Sequence, residues 1–346
     1  MAIGEGLYRL REQNGINPMK IPPAKLDSNE NPYGPSPKAL FAAVGAIKEI
    51  SRYPKSAKSL EEKIASLLGV EADGVLISSG GDRVIELVLR SITRSAKRLV
   101  IPIPGFQMYS IISEALDLDA DFVPLPVGSH DGLLEKVRRG DLVFIGSPNN
   151  PDGKILERKD LEALLQDCAW LVLDEAYAEY ARISFAPLTK SYPNLIVIKT
   201  FSKAFALAGL RVGYLVASGD VVRSIRSLTG PYEVSSIGIE ACKAALEDIQ
   251  YYNRVVDLTC RNRSKLLEAL SKIGRLTVFP SHGNFILFKL QGAFATEVCN
   301  DLKLRNILVR NCSGWRGLDG EFIRVTVGTW SELVRFISSL REVLGS

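Results

Sequence analysis

The chain has 346 residues, 46% of them hydrophobic and 24% charged, with a formal net charge of +4, which is globular composition with chain enough for two domains. Its Lys and Arg residues are scattered rather than gathered into a stripe for nucleic acid, and its apolar runs fall far short of the roughly 20 residues of a membrane helix. Five cysteines without a CxxC pair and only two histidines argue for reduced thiols in a cytoplasm and against disulfides or a zinc site.

The opening MAIGEGLYRLREQNGINPMK has no signal-like apolar centre. The Pro-rich NPMKIPPAKLDSNENPYGPSP that overlaps it reads as extended chain, so residues 1–30 are assigned to an N-terminal arm. Short apolar runs follow: GVLISS (74–79), RLVIPIP (98–104), LVFIGSP (142–148), WLVLDE (170–175), LIVIKT (195–200) and VGYLVAS (212–218). Most are continuous, as strands covered on both faces read. Helical patterns lie between them, among them DRVIELVLRSI (82–92), ERKDLEALLQDC (157–168) and GDVVRSIRSL (219–228). This alternation predicts an α/β domain over 31–250, with a mostly parallel central sheet flanked by helices. Beyond a long helical stretch, the strands RLTVFP, FILFKL, ILVRNC and EFIRVTVG surround ATEVCNDLKLRN and precede WSELVRFISSLREVL. They predict a smaller α/β domain over 251–346.

Four of these runs end in groups able to act on one ligand, and ligands collect at the carboxyl ends of such strands. LIVIKT runs into Thr200-Phe201-Ser202-Lys203, with Arg211 eight residues beyond the lysine. A surface lysine closing a turn is the plain reading. The sharper one is an amine kept nucleophilic by partial burial and a neighbouring cation. WLVLDEAY places Asp174 where the run stops. In isolation this is a turn carboxylate, but facing a pyridine nitrogen it would hold that nitrogen protonated, the electron sink of pyridoxal phosphate. Tyr177 stands three residues on, within reach of the ring's phenolic oxygen. GSPNNPDG is either an Asn-Pro turn or the source of an amide donor to the same oxygen. SSGGDRVIEL offers backbone N–H groups at a helix start to a phosphate, without the spacing of a nucleotide-binding loop. Four such ends together suit pyridoxal 5'-phosphate and fit a nucleotide badly.

TFSKAFALAGLRVGY, SPNNPDG, VLDEAY, LDSNENPYGPSP and IRVTVGT together resemble the fold-type I pyridoxal-phosphate-dependent aminotransferases, and among them the histidinol-phosphate aminotransferase family, from about Leu26 to Thr329. The resemblance implies that Lys203 bonds the cofactor aldehyde and later shuttles the proton, that Asp174 pairs with the pyridinium, and that Tyr177 and Asn150 bond the ring oxygen. It implies a phosphate held by Ser202 and Arg211, with backbone at Gly81 and Asp82 and help from Thr200, and Phe106 stacked on the ring. It places Tyr53 at the neighbouring subunit's phosphate, hence a homodimer with shared sites. Arg324 is implied for the substrate carboxylate, Arg310 for the substrate's phosphate, and Asn29 for the substrate side. Histidinol phosphate and 2-oxoglutarate are the implied pair.

Three residues depart from the family pattern. Phe106 stands where tyrosine is common, and Asp152 replaces the threonine of PNNPTG. Arg83 replaces an acidic residue at a helix start, where a cation opposes the dipole unless an anion sits nearby; it is expected to balance the phosphates. Two related readings keep the cofactor: a threonine-phosphate decarboxylase-like lyase and a broad aromatic aminotransferase. A nucleotide-binding oxidoreductase or binding module is disfavoured, because no G-x-G-x-x-G follows a predicted strand.

Overall fold

The computed structural model describes residues 22–345. Its larger sheet has seven strands in the order β2-β8-β7-β6-β5-β3-β4. These are β2 (Val75–Ser78), β3 (Arg98–Ile103), β4 (Ala120–Pro124), β5 (Asp141–Gly146), β6 (Trp170–Asp174), β7 (Leu195–Thr200) and β8 (Gly213–Val216). Neighbours run parallel except at β8, which is antiparallel to both β7 and β2. The reversal matters for the site, because β8 then begins where the others end. Gly213 pairs with Thr200 on one side and Ser78 on the other, and Asp174 pairs with Gly146 and Ile198.

β5, β6 and β7 are continuous apolar runs because helices cover both faces. Leu142, Phe144, Val172 and Ile196 pack with α3 (Gly81–Ile92), α4 (Gln107–Ala115) and α8 (Gly219–Arg226). The alternate residues Val143, Ile145, Leu171 and Val197 point the other way, against α2 (Lys58–Leu68), α6 (Arg158–Asp167) and α9 (Ser236–Leu246). Strand side chains alternate between faces, so a polar residue at a strand tip has its side chosen by its position number. α1 (Pro37–Ala46) packs on α9, while short α5 (Leu133–Lys136) and α7 (Ala178–Ala181) fill connections.

The smaller sheet has the order β1-β11-β12-β10-β9, comprising β1 (Ala24–Leu26), β9 (Leu276–Phe279), β10 (Phe285–Leu290), β11 (Ile307–Asn311) and β12 (Phe322–Thr326). One face is covered by α10 (Ile249–Ser271), α11 (Ala295–Leu304) and α12 (Trp330–Leu344), through Leu266, Val298, Leu302, Phe336 and Leu340. α12 starts with a full capping box, in which Thr329 and Glu332 satisfy each other's backbone N–H groups. Ile323 and Val325 of β12 enter that core, so Arg324 between them faces the larger domain. Arg310 of β11 lies directly across from it.

Two differences from the expected organisation have physical causes. The segment 1–30, expected as an arm, is in part a sheet strand: Ala24 and Leu26 are buried in the smaller domain's core while Lys25 between them is exposed, and β1 pairs with β11. Residues 1–21 of that segment lie outside the described residues. The boundary at 250 falls within α10, which continues from one unit into the other. β4 was missed because its edge position buries only Val123 fully. Among the described residues no helix is long and apolar enough to cross a membrane.

Candidate active site

The tips of β2, β5, β6 and β7 and the start of β8 open into one cavity of about 310 Å³, closed from the other side by the smaller sheet and the chain leaving β1. At one end is a cup formed where β2 turns into α3. Gly80 has φ +97°, a backbone that favours glycine, and a Cβ there would lie 2.8 Å from the Arg211 guanidinium. Gly213 is as constrained, since a Cβ on it would sit 2.6 Å from the Gly80–Gly81 peptide. Two glycines thus let the turn, β8 and Arg211 converge. Arg211 pairs with Asp82 at 3.1 Å while both stay about half exposed. Thr200 and Ser202 bond hydroxyl to hydroxyl at 3.0 Å, and both border the cavity. The cup offers helix N–H groups, hydroxyls and a guanidinium, the donors an anion requires.

Asp174 lies in the cavity floor. Tyr109 Oη donates to one of its oxygens at 2.7 Å and the Ala176 N–H to the other at 2.9 Å. Among the described residues it forms no ion pair. Burial raises its carboxyl above the usual carboxylate range, and the two donors only partly oppose this. Burial, then the Asp174 charge, push the Tyr109 phenol well above its ordinary value. A buried carboxylate served only by neutral donors is a place for a cation to arrive. Lys203 borders the same cavity; its Nζ donates to the Ser28 carbonyl at 3.0 Å and lies 5.6 Å from the Tyr177 ring centroid.

The far wall carries a buried guanidinium. Arg324 is 4% exposed and donates to Asn150 Oδ1 at 2.6 Å and to the Asp27 carbonyl at 2.9 Å. Among the described residues its Nε has no partner, and burial pushes its pKa down. Arg310 and Trp315 border the cavity beside it. An arginine held by carbonyl oxygens, without a carboxylate, is a receptor for a bidentate anion.

A model of the class I and II aminotransferase family matches residues 22–340. The chain belongs to the class I and II aminotransferases. It is 36% identical over 319 residues to histidinol-phosphate aminotransferase 2 of Archaeoglobus fulgidus, covering 92% of each chain. The histidinol-phosphate aminotransferase of Sinorhizobium meliloti, solved in complex with pyridoxal 5'-phosphate, superposes with TM-score 0.84 at 26% identity, over 98% of this chain and 94% of that one. The L-threonine-O-3-phosphate decarboxylase of Porphyromonas gingivalis superposes with TM-score 0.85, also at 26% identity, over 93% of this chain and 100% of that one.

In this aminotransferase the cavity gathers Lys203, Asp174, Tyr177, Asn150, Ser202 and Arg211. Gly81, Asp82, Thr200, Phe106, Asn29, Arg310 and Arg324 border it as well. Phe106 caps the start of α4 and meets Tyr109 edge to face at 5.5 Å. Tyr53 is the exception: 77% exposed and stacked on Tyr232 at 4.3 Å, it does not border the cavity of its own chain.

Two departures prove to be structural. Arg83 lies outside the cavity, its guanidinium paired with Glu86 at 2.9 Å and Glu233 at 3.2 Å, so these carboxylates answer its charge at the helix start. Asp152 accepts from the Gly128 N–H, Asn149 Nδ2 and the Lys154 N–H within 3.1 Å. It closes the turn after β5 and is absent from the cavity wall. Tyr109, Trp315, Asp27 and Ser28 were not anticipated. Only Tyr109 left a trace in the sequence, three residues after Phe106 in GFQMYS, on the helix that Phe106 caps.

Proposed function

We propose that this aminotransferase binds pyridoxal 5'-phosphate and transfers the amino group of histidinol phosphate to 2-oxoglutarate, a step of histidine biosynthesis. The observation that carries the reading is one cavity that holds both Lys203 and a buried Asp174 that forms no ion pair among the described residues. The groups present fit the cofactor: the cup around Gly80 and Arg211 suits its phosphate, Asp174 its ring nitrogen, and Tyr177 and Asn150 its phenolic oxygen.

When bound, the cofactor supplies an aldehyde that condenses with amines and a protonated ring that withdraws electrons from the adjacent carbon. Lys203 would be the residue that holds the aldehyde, and its amine, once released, would serve as the base for the substrate Cα proton and as the acid that returns a proton. Asp174 would keep the ring nitrogen protonated, with Tyr109 holding the carboxylate in place. Phe106, on the cavity wall, would pack on the ring. Arg324 receives the α-carboxylate of glutamate. Histidinol phosphate carries a phosphate ester in place of that carboxylate, and Arg310, across the strand pair from Arg324, supplies a second guanidinium for the larger anion.

The active unit we propose is a homodimer. α1 and the turn after it expose Phe41, Val44, Ile47 and Ile50, a row of apolar side chains suited to a second copy. Tyr53, close to this row in the chain, exposed and outside the wall of its own cavity, would reach the partner's phosphate cup. Five free cysteines agree with a cytoplasmic setting.

The superposition with the phosphothreonine decarboxylase makes that lyase the second reading. A substrate panel on cofactor-loaded protein separates the two, with absorbance of each half-reaction and carbon dioxide release as readouts. Conversion of histidinol phosphate with regeneration by 2-oxoglutarate supports the proposal. Carbon dioxide released from phosphothreonine, without need of 2-oxoglutarate, selects the lyase, and turnover confined to phenylalanine and tyrosine selects an aromatic aminotransferase.

A further inference from the structure

The chain leaving β1 borders the cavity through Ser28 and Asn29, and Asn29 is held by four hydrogen bonds. Asn29 is 1% exposed and has φ +54°, a left-handed backbone that asparagine tolerates better than most residues. Its N–H donates to Thr326 Oγ1 at 2.9 Å, and its carbonyl accepts from Asn284 Nδ2 at 3.0 Å. The Thr326 hydroxyl donates to Asn29 Oδ1 at 3.2 Å. With Oδ1 engaged there, the amide nitrogen faces the Tyr177 hydroxyl at 3.0 Å. An amide nitrogen only donates, so the Tyr177 oxygen accepts and its own proton must go to another acceptor. Among the described residues none takes it, and Tyr177 borders the cavity.

We infer that Asn29 is a positioning residue that sets the direction of the Tyr177 hydroxyl, making Tyr177 a donor to the phenolic oxygen of the bound cofactor. Asn29 thus belongs to the cofactor side through Tyr177. Thr326 and Asn284, both of the smaller domain, carry that domain's position into the bond. The inference rests on the pyridoxal phosphate reading above. A donor at the phenolic oxygen draws electron density from it and weakens its hold on the proton of the nearby lysine-linked nitrogen. Losing the Asn29 amide frees the phenol to turn, so that proton is held more tightly.

Asn29→Gly is the discriminating variant, because glycine accepts the left-handed backbone and keeps both main-chain bonds while deleting the amide. The measurement is a spectrophotometric pH titration of the holoenzyme chromophore in the parent, Asn29→Gly, Tyr177→Phe and the double variant. The midpoint should rise by about half a unit to one unit in Asn29→Gly and further in Tyr177→Phe. The double variant should match Tyr177→Phe alone, because Asn29 acts through that hydroxyl. A midpoint unmoved by Asn29→Gly, or moved equally with and without the tyrosine hydroxyl, overturns the inference and leaves the cofactor reading standing. A parent protein with no titrating chromophore overturns the cofactor reading and this inference with it.

Discussion

Asp174 and Glu175 are consecutive and both buried, yet their surroundings are opposite. Glu175 lies on the face turned from the cavity, where Lys199 meets it at 3.1 Å and the Phe185 N–H and Ser184 hydroxyl donate to it. Burial alone would push the Lys199 ammonium down, but the Glu179 and Glu175 carboxylates hold it above its ordinary value. Among the described residues Asp174, one residue earlier and on the other face, has only a phenol and one N–H. Strand alternation separates the two, so burial of a charge points to function only where the chain leaves that charge unanswered. The first region is ballast for the fold; the second stands open for a ligand.

Breaking the answered charge should cost stability. Lys199→Met leaves Glu175 buried without a cation and should lower unfolding free energy by about 3–5 kcal/mol, measured by denaturant titration of the apoprotein. Removing the unanswered charge should cost catalysis. Asp174→Asn should slow turnover up to about a thousandfold, the weight of an opposite charge at a titrating nitrogen. Its effect on the apoprotein should have the reverse sign. The folded Asp174 carboxyl titrates above its unfolded value of about 3.9, so the penalty is absent below that value and grows as pH rises through the folded one. Thermal melts should find Asp174→Asn equal to the parent at acid pH and more stable at neutral pH. Variants that lost stability and turnover together at both positions would erase the comparison.

The wall opposite sharpens it further. Arg324→Gln should lower kcat/KM about 10- to 100-fold for both glutamate and histidinol phosphate, the worth of charged hydrogen bonds. Arg310→Gln should weaken histidinol phosphate more than glutamate, as read from the two half-reactions. The smallest effect belongs to Tyr109→Phe, which keeps the ring against Phe106 and Phe144 and removes the donor to Asp174. Cofactor titration of the apoprotein should show binding about tenfold weaker.

What was legible in the sequence follows the same division. Lys203, Asp174, Asn150 and Gly81 each stand at the end of an apolar run, so the strand pattern alone brought them to one edge of a sheet. Arg211 joined them because β8 runs backwards and begins at that edge. The Tyr109–Asp174 bond was hidden because it joins the helix after β3 to the tip of β6, a meeting set by strand order rather than by spacing. β1 was hidden because three residues in a Pro-rich stretch carry too little pattern, and its burial depends on β11, nearly three hundred residues away. Arg83 was expected to balance a phosphate and Asp152 stood out as an added negative charge because two of their partners, Glu233 and the Gly128 N–H, come from distant loops.

The most direct measurement is borohydride reduction of the cofactor-loaded protein, followed by mapping of the modified peptide. The account predicts a stable adduct at Lys203 in the parent, and neither adduct nor turnover in Lys203→Ala. An adduct on a different lysine, or turnover that survives in Lys203→Ala, would contradict it.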